Sequence, residues 1–126
     1  MRKTILIICG SRPMSYLLQT VLSARYDFIA VADVYTGMDY VRKNSDISMV
    51  IVDIDSQEKE SFEFIEYIKS SVLYRKPVFV LSGQKPELNA NSLADLKADA
   101  CINKPFSPPD LLKRVEYHLH TEMVNN

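Results

Sequence analysis

The sequence predicts an α/β fold, in which a parallel five-stranded sheet carries helices on both faces. Short continuous apolar runs alternate along the chain with segments whose apolar residues recur at helical spacing. The runs also lack the strict apolar–polar alternation of a sheet with one solvated face, so they are typical of strands covered on both sides. Five strand–helix units in this order favour a doubly wound (βα)5 arrangement.

The individual elements follow from local patterns. The predicted strands cover residues 4–9, 28–32, 48–52, 77–82 and 100–102. The predicted helices cover residues 11–22, 36–44, 61–72, 88–97 and 107–119. Ser11 and Pro13 are start signals for the first helix. Ser107, Pro108 and Asp110 form a capping signature for the last one.

Size and charge limit the possible functions. A chain of 126 residues suits one domain, expected over residues 1–126. The net charge is −1 and no basic run stands out, so direct binding of nucleic acid is not expected. The apolar stretch from Ile5 to Cys9 is far too short for a membrane span or a signal peptide core. We therefore expect a cytoplasmic protein without a membrane partner.

The cysteines and histidines do not predict a metal site. Cys9 and Cys101 are interpreted as two buried thiols in a reduced compartment. Without clustered histidines they do not make a zinc site. His118 and His120 are two positions apart on the last predicted helix, and residues so spaced do not share a face. Both histidines are predicted to be solvated.

The residues that follow the strands carry the chemistry. Ligands bind at the carboxyl ends of the strands in such a sheet. Asp53 ends the third predicted strand, Ser82 ends the fourth, and Lys104 follows the fifth. Each alone is a common turn or loop residue. Together they predict a phosphoryl-transfer site, with a carboxylate nucleophile and with a hydroxyl and an ammonium that hold the phosphoryl oxygens. Gly83 is expected to leave room beside Ser82.

Three motifs resemble the response-regulator receiver domain of two-component signalling, and the resemblance covers the whole chain. "VIVDI" is similar to the phosphoacceptor strand, "PVFVLSG" to the fourth strand and "ADACINKPF" to the fifth strand with its Lys-Pro-Phe signature. The resemblance implies a flavodoxin-like sheet of order 2-1-3-4-5. It also implies that Asp53 accepts a phosphoryl group, and that the Lys104–Pro105 bond is cis. Gly37 falls where the family often has a glycine opening its second helix.

The resemblance also implies partners. The phosphoryl donor would be a histidine kinase or a phosphotransfer protein, and the output would be a protein partner or a homodimer. Tyr16 and Gln19 would lie near the donor. Lys97, Lys113 and Tyr117 would lie near the output face, although the charges there are also typical of a plain solvated face.

The sequence departs from the family pattern around the predicted acceptor. The family normally has two adjacent acidic residues after the first strand, which hold Mg²⁺, whereas Cys9, Gly10 and Ser11 occupy that stretch here. Because Mg²⁺ requires several hard oxygen ligands, Asp53 and Asp55 alone predict at most a weak magnesium site. With fewer carboxylates nearby, we expect Lys104 to pair directly with Asp53.

Three further positions depart from the pattern beyond the acceptor. Gln57 and Ser61 replace the proline and the glycine that the family has four and eight residues after the acceptor. The aromatic switch residue, three before the lysine, would fall on Cys101. Phosphorylation-dependent switching of the family type is therefore not predicted for this chain.

Three hypotheses remain open at this point. The first is a non-enzymatic receiver domain phosphorylated at Asp53. The second is a degenerate pseudo-receiver that binds a protein without phosphorylation, as the missing acidic pair and switch aromatic suggest. The third is a phosphatase of the haloacid-dehalogenase type, because "VIVDIDS" also resembles its Asp-x-Asp motif, with Asp55 as the general acid. Two strand–helix units precede the motif here, which argues against the third hypothesis.

Overall fold

The structure is a computed structural model, and it describes residues 2–43, 46–71, 75–83 and 97–124. The strands are β1 (Thr4–Ile8), β2 (Asp27–Val31), β3 (Ile47–Asp53), β4 (Val78–Ser82) and β5 (Ala100–Asn103). The helices within the described residues are α1 (Arg12–Leu22), α2 (Val34–Lys43), α3 (Glu58–Ser70) and α4 (Pro108–Val124). All strand pairs are parallel and the order is β2-β1-β3-β4-β5, as in flavodoxin-like folds. The predicted fold class is confirmed.

Helices cover both faces of the sheet, which explains why the strands are continuous apolar runs. One face of the sheet packs against α1 and α4, through residues such as Leu18 and Val115. The other face packs against α2 and α3, through residues such as Val34 and Ile65. Six of the seven β3 residues are buried, so the third strand runs through the centre of the core. The edge strand β2, in contrast, has no buried residue.

Two helices begin earlier than predicted. α2 begins at Val34 because Asp33 caps it: its Oδ1 accepts the Thr36 N–H at 2.8 Å. α3 begins at Glu58, three residues before the predicted start, and its first turn carries two acidic residues that favour a helix N-terminus. The predicted start of the first helix is confirmed, since the Ser11 side chain accepts the Met14 N–H. The predicted helix over 88–97 lies, except for its last residue, outside the described residues.

Strand register brings the predicted site residues to one edge of the sheet. Asp53 pairs with Leu81 across β3 and β4, and Ser82 pairs with Asn103 across β4 and β5. The ladder continues beyond β5, where the Lys104 N–H donates to the Ser82 carbonyl at 2.8 Å. The Lys104–Pro105 bond is cis, as the resemblance implied. None of the described helices combines the length and the apolarity that a membrane crossing requires.

Candidate functional site

Asp53 lies at the carboxyl end of the central strand and is only 4 % exposed. Its Oδ2 accepts a hydrogen bond from Lys104 Nζ at 2.7 Å, and the Cys9 thiol donates to the same oxygen at an Sγ–Oδ2 distance of 3.6 Å. Its Oδ1 accepts the backbone N–H of Asp55 at 3.0 Å. Both carboxylate oxygens therefore have partners, as a buried charge requires. The predicted ion pair between Lys104 and Asp53 is present.

Lys104 joins Asp53 to a second carboxylate. Its Nζ lies 2.7 Å from Oδ2 of Asp53 and 2.7 Å from Oδ2 of Asp55. The Gly83 N–H donates to that same Asp55 oxygen at 2.7 Å. We call these three side chains, Asp53, Asp55 and Lys104, the lysine clamp. It ties the loop after β3 to the loops after β4 and β5.

The clamp keeps the ammonium charged. Burial lowers the pKa of Lys104, but hydrogen bonds to Asp53 and Asp55, together with their charges, outweigh burial and raise this pKa above its usual value. Lys104 is therefore a cation across the physiological pH range. Its side chain is 17 % exposed, so the ion pair is partly, not fully, withdrawn from water.

Cys9 contributes a neutral thiol to the site. Burial raises the pKa of Cys9 to about 11, with a contribution from the charge of Asp53 and against a hydrogen bond with the Ser11 backbone that lowers it. A thiol with that pKa stays protonated at neutral pH. Cys9 thus serves Asp53 as a weak hydrogen-bond donor where the family pattern has a carboxylate.

Ser82 and Gly83 follow one another at the carboxyl end of β4, on the predicted edge of the sheet. Ser82 is buried, one position beyond the residue that pairs with Asp53. Gly83 is expected to leave room beside Ser82, and this stays a prediction. A Cβ on Gly83 would lie 3.0 Å from Oδ2 of Asp55, so any side chain there would crowd that carboxylate.

The carboxylates of the site do not fit Mg²⁺ in this arrangement. Three of the four carboxylate oxygens of Asp53 and Asp55 already accept hydrogen bonds or contact Lys104. Of these four oxygens, only Oδ1 of Asp55 has no hydrogen-bond partner. No cluster of three metal-ligating side chains occurs among the described residues. Mg²⁺ keeps several waters and is held by one or two carboxylates, and only one carboxylate oxygen is available here unless Lys104 is displaced.

Gly10 has a steric role in this loop. A Cβ at Gly10 would lie 2.4 Å from Oγ of Ser56, so any side chain there would force that serine to move. The stretch that carries the acidic pair in the family therefore packs tightly against the loop after β3.

Several predictions outside the site need correction. Cys101 is exposed, not buried, because its side chain points away from the core on the short strand β5. His118 is not simply solvated, since its ring packs edge-on against Phe79, with 4.9 Å between ring centroids. His120 is exposed, in agreement with the prediction, and its Nε2 lies 3.3 Å from the Tyr26 hydroxyl.

The structure also gives the positions of residues on the predicted contact surfaces, and of the two residues after Asp53 that depart from the family pattern. Tyr16 on α1 and Tyr117 on α4 are both largely exposed. Gln57 precedes α3, and its side-chain oxygen accepts the Val34 N–H at 3.2 Å, which links α2 to α3. Ser61 lies inside α3 and is buried. The loop after β3 thus has its own supports in place of the proline and glycine of the family pattern.

The two thiols are expected to differ in reactivity. At about pH 8 a thiol reagent such as dithionitrobenzoate should label Cys101 quickly and Cys9 slowly, because Cys101 is exposed and Cys9 is buried, while desolvation raises the pKa of both thiols. Counting the released thionitrobenzoate should give one fast thiol per native chain and two after unfolding. A Cys101→Ser variant should lose the fast phase. Fast labelling of that variant in its native state would contradict the burial of Cys9.

One family model matches most of the chain. The model of the response regulator receiver domain matches residues 5–116. The chain belongs to this family, whose members act as signalling modules.

Two curated relatives and one solved structure illustrate the similarity. The chain is 28 % identical over 120 residues to the response regulator GtcR of Aneurinibacillus migulanus, covering 94 % of this chain and 48 % of that protein. It is 29 % identical over 117 residues to the transcriptional regulatory protein GltR of Pseudomonas aeruginosa, covering 90 % and 48 %. The structure of the phosphorylated cyanobacterial phytochrome response regulator RcpA has a TM-score of 0.78, with 25 % identity and 96 % of each chain covered. The chain spans about half the length of the curated relatives it matches.

Proposed function

We propose that residues 1–126 form one cytoplasmic receiver domain that accepts a phosphoryl group on Asp53 and passes the signal to a protein partner. The observation that carries the proposal is the position of Asp53: a carboxylate at the carboxyl end of the central strand, within hydrogen-bond distance of the Lys104 ammonium. In the reaction, a carboxylate oxygen attacks the phosphorus of a phosphohistidine. The P–N bond breaks, the histidine leaves and an acyl phosphate forms.

The chain's own residues supply positioning and charge for this step. Lys104 places a positive charge beside the acceptor, where it can contact the phosphoryl oxygens as negative charge moves onto Asp53. Ser82, at the end of the adjacent strand, is the proposed hydroxyl partner of the phosphoryl group. The proposed donor is a histidine kinase or a phosphotransfer protein. An output protein or a second receiver would meet the exposed face of α4, which carries Lys113 and Tyr117.

The test is a change of mass. The purified chain is incubated with acetyl phosphate or phosphoramidate and its intact mass is recorded. We expect a gain of one phosphoryl group that Asp53→Asn abolishes. Asp39→Asn, which removes an exposed carboxylate on α2 outside the clamp, is the matched control and should keep the gain.

A second function, a binding module that needs no phosphorylation, is favoured by one observation. The buried Asp53 carboxylate is fully partnered by Cys9, Asp55 and Lys104 without any phosphoryl group. If the folded chain gains no mass from either small donor or from a kinase that phosphorylates a control receiver, this second function replaces the first.

The phosphatase alternative has little support from the site. Its general acid would be Asp55, whose Oδ2 contacts the Lys104 ammonium and accepts the Gly83 N–H. Both partners are donors, so this oxygen already acts as an acceptor and is not directed toward a substrate. Hydrolysis of a generic phosphomonoester that Asp55→Ala abolishes would restore this alternative.

A further inference from the structure

We propose that Lys104 is the resident cation of the acceptor site, that Asp55 is the positioning residue which holds it there, and that the closed lysine clamp excludes divalent metal ions. This inference deepens the proposed function and rests on it for its biological meaning. Its test measures metal binding and needs no phosphoryl transfer, so the inference and the proposed function can fail separately.

The charges of the clamp already balance without a metal ion. Two carboxylates converge on one ammonium, with both Oδ2 atoms 2.7 Å from Nζ. Two negative charges that approach a common point repel each other unless a cation lies between them. Lys104 supplies that cation from within the chain. A divalent ion at the same point would have to displace the ammonium and leave it unpaired.

The contacts of Asp55 hold its carboxylate in place. Its Oδ2, the same oxygen that contacts Lys104, accepts the Gly83 N–H, so the carboxylate does not swing freely in solvent. This backbone contact orients the oxygen that faces Lys104. Asp53 alone could pair with Lys104 in many geometries, but two anchored carboxylates fix the ammonium at one place.

The loop after β1 lies beside the clamp and lacks carboxylates. Cys9 contacts Asp53 through a sulfur atom, and sulfur is a poor ligand for Mg²⁺. Gly10 has no side chain, and a Cβ there would collide with Oγ of Ser56. The loop after β1 therefore offers no carboxylate that could assist Asp53 and Asp55 in attracting a metal.

Opening the clamp is therefore expected to create metal affinity. In Lys104→Gln the two carboxylates keep their hydrogen bonds from backbone N–H groups but lose the cation between them. With Mn²⁺ as the probe, followed by electron paramagnetic resonance, this variant should bind at least about tenfold more tightly than the natural chain. Adding Asp55→Asn to Lys104→Gln should return the affinity to the level of the natural chain. Lys43→Gln, at the exposed end of α2, is the matched control and should leave the Mn²⁺ affinity unchanged.

A second measurement covers the case in which Lys104→Gln does not fold. About 10 mM Mg²⁺ should leave the melting temperature of the natural chain unchanged, because a ligand that does not bind the native state cannot stabilise it. A Mg²⁺-dependent rise, abolished by Asp53→Asn, would overturn the proposal. So would equal Mn²⁺ affinity of the natural chain and of folded Lys104→Gln.

Discussion

Replacing Lys104 by methionine is expected to lower the free energy of unfolding by about 3 kcal/mol at neutral pH. Methionine keeps much of the side-chain length but removes the charge that partners Asp53 and Asp55. Removing one member of a buried ion pair costs roughly 3–5 kcal/mol, because it leaves an unpaired buried charge. The partial exposure of Lys104 places the effect at the lower end of that range. Urea denaturation followed by circular dichroism measures it.

A double-mutant cycle separates the charge effect from packing. Adding Asp53→Asn to Lys104→Met should recover a large part of the loss, because the unpaired charge is then removed as well. Lys113→Met is the control for a lysine-to-methionine change on an exposed surface and should alter stability by less than about 0.5 kcal/mol. If Lys104→Met were no more costly than this control, the clamp would contribute nothing to stability.

Replacing Cys9 by aspartate is expected to make the stability of the chain depend on Mg²⁺. The new carboxylate would lie beside Asp53, since the Cys9 sulfur is already 3.6 Å from Oδ2 of that residue. Three carboxylates would then share one ammonium, and the uncompensated charge should destabilise the chain by about 3 kcal/mol. Bound Mg²⁺ offsets the repulsion and adds stability that grows with its concentration. Thermal unfolding with and without Mg²⁺ measures both effects.

Cys9→Asn is the control for this substitution, because asparagine has nearly the shape of aspartate without the charge. It should be less destabilising and should not respond to Mg²⁺. The prediction fails if Cys9→Asp melts at the same temperature with and without Mg²⁺, or if Cys9→Asn shows the same response. Position 9 is chosen over position 10 because a side chain at Gly10 would collide with Ser56.

Sequence patterns were sufficient for the fold. A continuous apolar run predicts a buried strand whatever its neighbours are, and the alternation with helical spacing requires parallel pairing. Helix starts were less predictable. Asp33 caps α2, but a short acidic side chain after a strand can serve several purposes, and only the backbone conformation decides which.

The exposure of individual side chains was predicted only in part. Cys101 and His118 were both misjudged, since burial depends on which face of a short strand or helix meets the core. On β5 the side chains of Ala100 and Ile102 face inward, so the thiol between them faces outward. His118 lies on α4 close to Phe79 of β4, a contact between residues far apart in the sequence.

The sequence by itself determined that Asp53, Ser82 and Lys104 lie at one edge of the sheet, because parallel strands present their carboxyl ends together. It predicted the ion pair between Lys104 and Asp53, which follows from opposite charges at the carboxyl ends of β3 and β5, on either side of β4. Only the tertiary structure decided that Asp55 shares the ammonium and that Gly83 holds Asp55 in place. Such sharing requires residues from three loops to approach within 2.7 Å of each other. No pattern within one segment specifies how separate loops approach each other.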